Sequence, residues 1–199
     1  ITDSETGEKC YGSLDEALEN AEAGDQVEIN KEEVVLEKDI VLPEDVTLII
    51  PEDATLTVPE GTTLKNNGFI VNDSESGIVI NEGSAINNGI ISGEGAIKNN
   101  DGSLDLTEGI TNNTVACTSN SIFKSEAVWE IDGEMYRGSL EKALEAVSNN
   151  GGGSIIIDTP KLDLEESITP NAGVERILAC QLHTSLTEQN VVGNKIVFR

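Results

Sequence analysis

Three eight-residue units stand end to end in this chain: Pro43–Ile50 (PEDVTLII), Pro51–Val58 (PEDATLTV) and Pro59–Asn66 (PEGTTLKN). Each opens on a proline–acid turn signature and closes on alternating residues. Val46, Leu48 and Ile50 fall on one face of their strand; so do Ala54, Leu56 and Val58, and then Leu64. Thr47, Thr55, Thr57 and Thr63 fall on the opposite face. Strands this short cannot each bury a face alone, so they must stack. Three strand-and-turn units make one coil of roughly 24 residues, the geometry of a three-sided parallel β-helix. Its strands would lie about 4.8 Å apart along the axis.

The pattern loosens after the octads but persists. Asn66-Asn67-Gly68-Phe69-Ile70 returns as Asn87-Asn88-Gly89-Ile90-Ile91, and Asn99-Asn100-Asp101-Gly102 is a third relative. Stacked asparagines form hydrogen-bonded ladders in parallel stacks, and their glycines supply positive φ. Strands are expected from Val27 to about Ile110, about 3–4 coils at roughly 24 residues each. Residues 111–126 read as a loose connection with some buried positions.

A longer repeat divides the chain. Gly12-Ser13-Leu14-Asp15-Glu16-Ala17-Leu18-Glu19 returns as Gly138-Ser139-Leu140-Glu141-Lys142-Ala143-Leu144-Glu145. Val27 and Ile29 match Ile155 and Ile157; Leu36, Ile40 and Pro43 match Leu164, Ile168 and Pro170 with small gaps. Two homologous modules are therefore expected, 1–126 and a shorter 127–199. Each should carry a capping helix, near 13–23 and near 139–149. Ser13 with Glu16 makes a capping box; Leu14, Ala17, Leu18 and Ala21 make an apolar stripe, and Gly24 is the expected stop. The copy keeps Leu140, Ala143, Leu144 and Val147 but has Lys142 where the box needs a glutamate. The helix reads as a lid over the open coil end, which would otherwise expose unpaired strand edges. Before the second helix, Asp132-Gly133 between alternating residues signals a type I′ hairpin, and the first module is expected to do likewise around Thr6-Gly7. In the second module Ile177-Leu178, Leu182 and Ile196-Val197-Phe198 are the expected strands.

Composition narrows the partners. Thirty-seven acidic residues against twelve basic ones give a net charge of −25. Nucleic acid and anionic membrane surfaces should be repelled. The acids are interspersed with apolar alternation, so they read as a solvated folded surface. They leave weak calcium binding open as the one cofactor expectation. No run approaches the ~18 apolar residues of a spanning helix, and no basic-then-apolar leader opens the chain at Ile1, so a processed product or part of a larger chain is expected. Cys10, Cys117 and Cys180 have no metal-site spacing; they read as isolated small core residues, with a Cys10–Cys117 bridge as the alternative.

The helix–glycine–strand run Ser139–Leu144, Gly151-Gly152-Gly153, Ser154–Asp158 resembles the N-terminal cap of the pectate-lyase-like right-handed parallel β-helix superfamily. Octads of the form Pro-Glu-Gly-x-Thr-Leu, asparagine–glycine rungs and repeated lids are, more narrowly, similar to β-helical modules of Gram-positive bacterial cell-surface proteins. The resemblance implies an all-β, right-handed parallel β-helix, an extracellular or cell-wall location, and a role in adhesion or display toward a host or bacterial surface protein or a glycan.

Enzymes of that superfamily imply a basic catalytic residue with calcium-binding aspartates, or paired carboxylates on adjacent rungs. Arg137, Arg176 and Arg199 all lie outside the octads, and Lys38, Lys65 and Lys98 sit where solvated positions are expected. Asp73 with Glu75, and Asp101 with Asp105, are the candidate acid pairs, expected in a chain this rich in acids. His183 has only Cys180, Thr184 and Ser185 nearby and reads as a surface or packing residue. Asn72-Asp73-Ser74 and Asn112-Asn113-Thr114 match a glycosylation sequon by chance, and Gly93-Glu94-Gly95 lacks a phosphate loop's strand-to-helix context. Catalytic and metal-binding residues are thus expected to be none. Trp129 and Tyr136, flanking the predicted hairpin, are either a small binding patch or a hydrophobic lid where the modules join. The expected function is a non-enzymatic extracellular module for adhesion, ligand display or spacing. The alternative is a carbohydrate-active or carbohydrate-binding β-helix.

Overall fold

The computed structural model describes residues 1–2, 4–158, 174–179 and 187–189. The chain divides into two compact units, Ile1–Phe123 and Lys124–Arg199.

The first unit is a parallel β-solenoid of five coils. One face holds Gln26–Glu28, Thr47–Ile50, Phe69–Asn72, Ile90–Ser92 and Ile110–Thr111. The second holds Glu33–Val35, Thr55–Val58, Gly77–Asn81, Ala96–Asn100 and Thr114–Cys117. The third holds Ile40–Leu42, Thr63–Asn66, Ser84–Asn87, Ser103–Asp105 and Ile122–Lys124, whose last residue already belongs to the second unit. The three octads supply one strand to each face, so together they are a single coil. Their apolar residues point inward and are buried: Leu48 and Ile50, Leu56 and Val58, then Leu64. Each such side chain removed from water contributes about 1.5–3 kcal/mol, offset by the ordering of its backbone.

Five coils exceed the 3–4 expected because the period is not constant. Ile40 pairs with Leu64, Thr55 with Gly77, and Ala96 with Thr114, steps of 24, 22 and 18 residues. The later turns are tighter, so more coils fit. The expected loose connection 111–126 is instead built of rungs, with Thr114–Cys117 paired onto Ala96–Asn100. Its polar sequence hid this: Val115 is half-buried against the core, and Thr111 and Asn113 are buried polar residues.

Glycine makes the tight turns feasible. A Cβ on Gly89 would stand 2.0 Å from the Gly68 carbonyl oxygen, and one on Gly77, at φ +50°, 2.0 Å from that of Ala96. Backbone passes so close to backbone there that no side chain fits.

The first helix, Leu14–Asn20, has the full capping box: Ser13 Oγ accepts from the Glu16 amide (3.2 Å) and Glu16 Oε2 from the Ser13 amide (3.4 Å). It ends earlier than expected. Ala21 is already extended, and Gly24 (φ +94°) belongs to the loop beyond. Ala17 and Leu18 join the core cluster with Val27, Leu36 and Ile40, so the helix does close the first coil. Lys38 holds it from the coil side, with Nζ 3.1 Å from Glu19 Oε1 and 3.6 Å from Asp15 Oδ2. The hydrogen bond to Glu19 is the main reason its ammonium titrates above the ordinary lysine range.

The second unit begins with the expected hairpin, Ala127–Ile131 against Glu134–Gly138, turning through Asp132 (φ 54°) and Gly133 (φ 89°). Gly153–Ile157 pairs antiparallel with Ala127–Ile131, and Val174–Ala179 pairs parallel with Gly153–Ile157. Thr187–Gln189 lies antiparallel to Val174–Ala179. The second helix, Leu140–Asn149, buries Leu140, Ala143, Leu144 and Val147. The half-lost capping box is replaced: Ser139 Oγ accepts from the Lys142 amide (3.2 Å), and Glu126 Oε2 accepts from the Leu140 amide (2.9 Å). Cys180, His183, Leu182, the strand at Ile196–Phe198, and the matches Leu164, Ile168 and Pro170 lie outside the described residues.

Candidate functional site

Of the residues weighed for chemistry, Asp101, Asp105 and Arg137 are engaged in the framework. Asp73 and Glu75 are exposed turn residues. Asp101, at φ 67°, receives the Thr118 hydroxyl on its carboxylate, while its amide donates to Thr118 Oγ1 (2.9 Å) and Ser121 Oγ (3.1 Å). Asp105 Oδ1 accepts from both the amide (3.1 Å) and the hydroxyl (2.6 Å) of Thr107. These two carboxylates fix turns, as local side-chain acceptors do. Arg137 Nη1 pairs with Asp158 Oδ2 at 2.9 Å. Among the described residues no group of three or more His, Cys, Asp or Glu side chains is placed to hold a metal ion. No described helix is long and apolar enough to cross a membrane.

Cys10 and Cys117, expected in the core or bridged, are both exposed and neither forms a disulfide. Cys10 flanks the N-terminal turn and Cys117 ends a strand of the last coil, so coil stacking separates them.

Trp129 and Tyr136 do meet. They are direct cross-strand partners with stacked rings, centroids 6.0 Å apart at an interplanar angle of 16°. Trp129 is only 1% exposed, and its Nε1 has no hydrogen-bond partner among the described residues. The ring surface left for a ligand is therefore that of Tyr136. Its hydroxyl donates to Glu134 Oε2 (2.9 Å); burial, then this carboxylate, raise its pKa above the ordinary phenol value.

A second surface escaped the sequence reading. On the first face of the solenoid the outward residues form an apolar strip. Phe69 stacks on Ile90 and Ile90 on Ile110, with Ile49 beside Val71 in the next column. Phe69 is 41% and Ile90 37% exposed. The signal was present: the repeat that aligns the two Asn-Asn-Gly runs also places Phe69 over Ile90. The inward-facing octad pattern drew attention away from it. The other two faces also expose apolar residues, Val35, Val41 and Ile122 among them, but Val35 neighbours Thr57 and Val41 neighbours Lys65, so they stand singly between polar positions.

A third feature is a cleft of about 630 Å³ at the first coil, lined by Ile1, Tyr11, Gly12, Leu14, Ile29 and Val34 among others. Comparison of the chain with protein-family models, with curated proteins and with solved structures finds no match.

Proposed function

We propose that this chain is a non-enzymatic β-solenoid module of a bacterial surface protein, extracellular, within a larger polypeptide, whose work is adhesion. The observation that carries the reading is the apolar strip of Phe69, Ile90, Ile110, Ile49 and Val71. A flat, rigid sheet face of this kind suits a protein or glycan partner, because its rungs are already ordered and lose little freedom on binding. The heavily acidic chain around it keeps such modules apart until the strip is engaged. The carboxylates that a glycosidase would need are committed to turns in the cases of Asp101 and Asp105, which supports a binding role over hydrolysis. The reading invokes no bound metal, so at a fixed ionic strength of about 0.15 M chelator and calcium alike should leave the melting temperature unchanged.

The test is binding of the chain to arrays of extracellular-matrix proteins and of glycans, with the double variant Phe69→Ser, Ile90→Ser beside it. Binding lost in a variant whose circular dichroism is unchanged supports the reading. Release of oligosaccharide products from any polysaccharide offered would overturn it.

A further inference from the structure

The two units open alike, and the comparison exposes a place that is filled in one and open in the other. In the second unit, Ala127–Ile131 is the middle strand of three. Ala127 faces Gly138 on one side and Ile157 on the other; Val128 faces Arg137 and Ile156; Trp129 faces Tyr136 and Ile155. All three side chains are buried, Ala127 completely. Glu126, just ahead, donates its amide to the Gly138 carbonyl (3.1 Å) and accepts from the Asp158 amide (2.8 Å).

The first unit repeats this arrangement around Ile1 and Thr2. Thr2 bridges antiparallel to Lys9 and to Gln26. The Ile1 ammonium donates to the Cys10 carbonyl (2.8 Å), and the Cys10 amide to that of Ile1 (3.0 Å). Both registers point onward. The next position ahead of Ile1 would face Tyr11 and Glu28, and the one before it Gly12 and Ile29. These are the places of Val128 and Ala127. Backbone polarity agrees. Ile29 donates to Ile49 on the coil side, whereas Gln26 exchanges both its bonds with Thr2. Because both groups of one residue point the same way and alternate along a strand, the amide and carbonyl of Glu28 face the cleft. The 630 Å³ cleft lies there, between Tyr11–Gly12 and Glu28–Ile29. Tyr11 beside it is 81% exposed.

We propose that this cleft is a strand-acceptor site, shaped for an extended segment that runs into Ile1 through a peptide bond, as Glu126–Val128 runs into Trp129. The chemistry it fits is an acidic residue followed by a small and then a larger aliphatic residue, hydrogen-bonded on both edges. A strand from another molecule is disfavoured, because one running through the cleft would collide with Ile1, which already occupies the line of the ladder. Seating this segment completes the sheet under the lid. The inference goes beyond the adhesive reading and does not depend on it.

The test is hydrogen exchange at the Glu28 and Asn30 amides in four proteins: the chain as it stands and the chain with Glu-Ala-Val, Glu-Pro-Pro or Glu-Asp-Asp joined ahead of Ile1. Glu-Ala-Val should slow exchange there by about tenfold or more and raise the melting temperature. Glu-Pro-Pro lacks the N–H donors, and Glu-Asp-Asp places charge in the dry position that Ala127 holds, so both should leave exchange near that of the unextended chain. Equal exchange in all four proteins would overturn the proposal. So would equal protection of the unextended chain by the detached peptide acetyl-Glu-Ala-Val-amide, since the peptide bond to Ile1 would then be irrelevant.

Discussion

Asn66 shows how polar residues come to sit inside this stack. It is 1% exposed, and its side chain is fully engaged: Nδ2 donates to Asn87 Oδ1 (2.7 Å) and to the Ile90 carbonyl (3.2 Å), and Oδ1 accepts from the Gly68 amide (3.1 Å). Asn87 hands the pattern on to the Ile110 carbonyl (3.1 Å), and Asn99 does the same to Ile122 (2.9 Å). Each asparagine closes the corner of one coil and grips the next, so its removal leaves buried donors and acceptors unmet. Asn66→Ala should cost about 2–3 kcal/mol in urea unfolding, with little change in m-value. The glycines make a paired prediction. Gly89→Ala drives a methyl into the Gly68 carbonyl and should cost about 3 kcal/mol or more, while Gly61→Ala, at φ +76° with open space around it, should cost only about 1 kcal/mol. Equal costs at the two positions would show that backbone crowding is not what the Gly89 position answers.

At the scale of elements, the lid and the rungs divide the work. Rungs of the three inner coils exchange backbone bonds with the coil on either side, so only a first or last coil can present a strand edge. The first helix is seven residues long, too short to persist alone. It is held by Ala17 and Leu18 in the core and by Lys38 outside. Leu18→Ala should therefore cost about 2–3 kcal/mol, and hydrogen exchange should show the loss concentrated in Gln26–Glu28 and Ile40–Leu42. A loss spread evenly over all five coils would contradict a lid that acts on the first coil. Much of this was legible in the sequence. The octads gave strand, turn and inward face together because proline and glycine punctuate a strict alternation. Ser13 and Glu16 announced the helix start, and Asp132-Gly133 the hairpin. The rest was hidden for physical reasons. Thr111 and Asn113 are buried by hydrogen bonding and carry no apolar signal: the Asn113 amide donates to Thr111 Oγ1 (3.1 Å), and Nδ2 to the Gly93 carbonyl (2.8 Å). Gly24 looked like a helix stop, yet the helix ends before it. The apolar strip lay on the side that alternation assigns to solvent, and only the 21-residue offset between the asparagine runs could have revealed it.

Over the whole molecule, a charge of −25 sets conditions for stability as well as for partners. Repulsion among so many exposed carboxylates opposes compaction, and screening relieves it. Raising salt from about 0.01 to 0.15 M, which shortens the Debye length from ~30 to ~8 Å, should therefore raise the melting temperature. A fall on adding salt would mean that attractive pairs such as Lys38 with Glu19 outweigh the repulsion. The strip and the asparagine corners both depend on one geometric fact, that neighbouring strands are successive coils running in the same direction. Interstrand proton–proton NOEs on the isotopically labelled chain test it most directly. The expected contacts link Thr47 to Phe69 and Phe69 to Ile90 along the first face, and Thr55 to Gly77 along the second, all in parallel register. Antiparallel contacts joining the consecutive strands Thr47–Ile50 and Thr55–Val58 would contradict it.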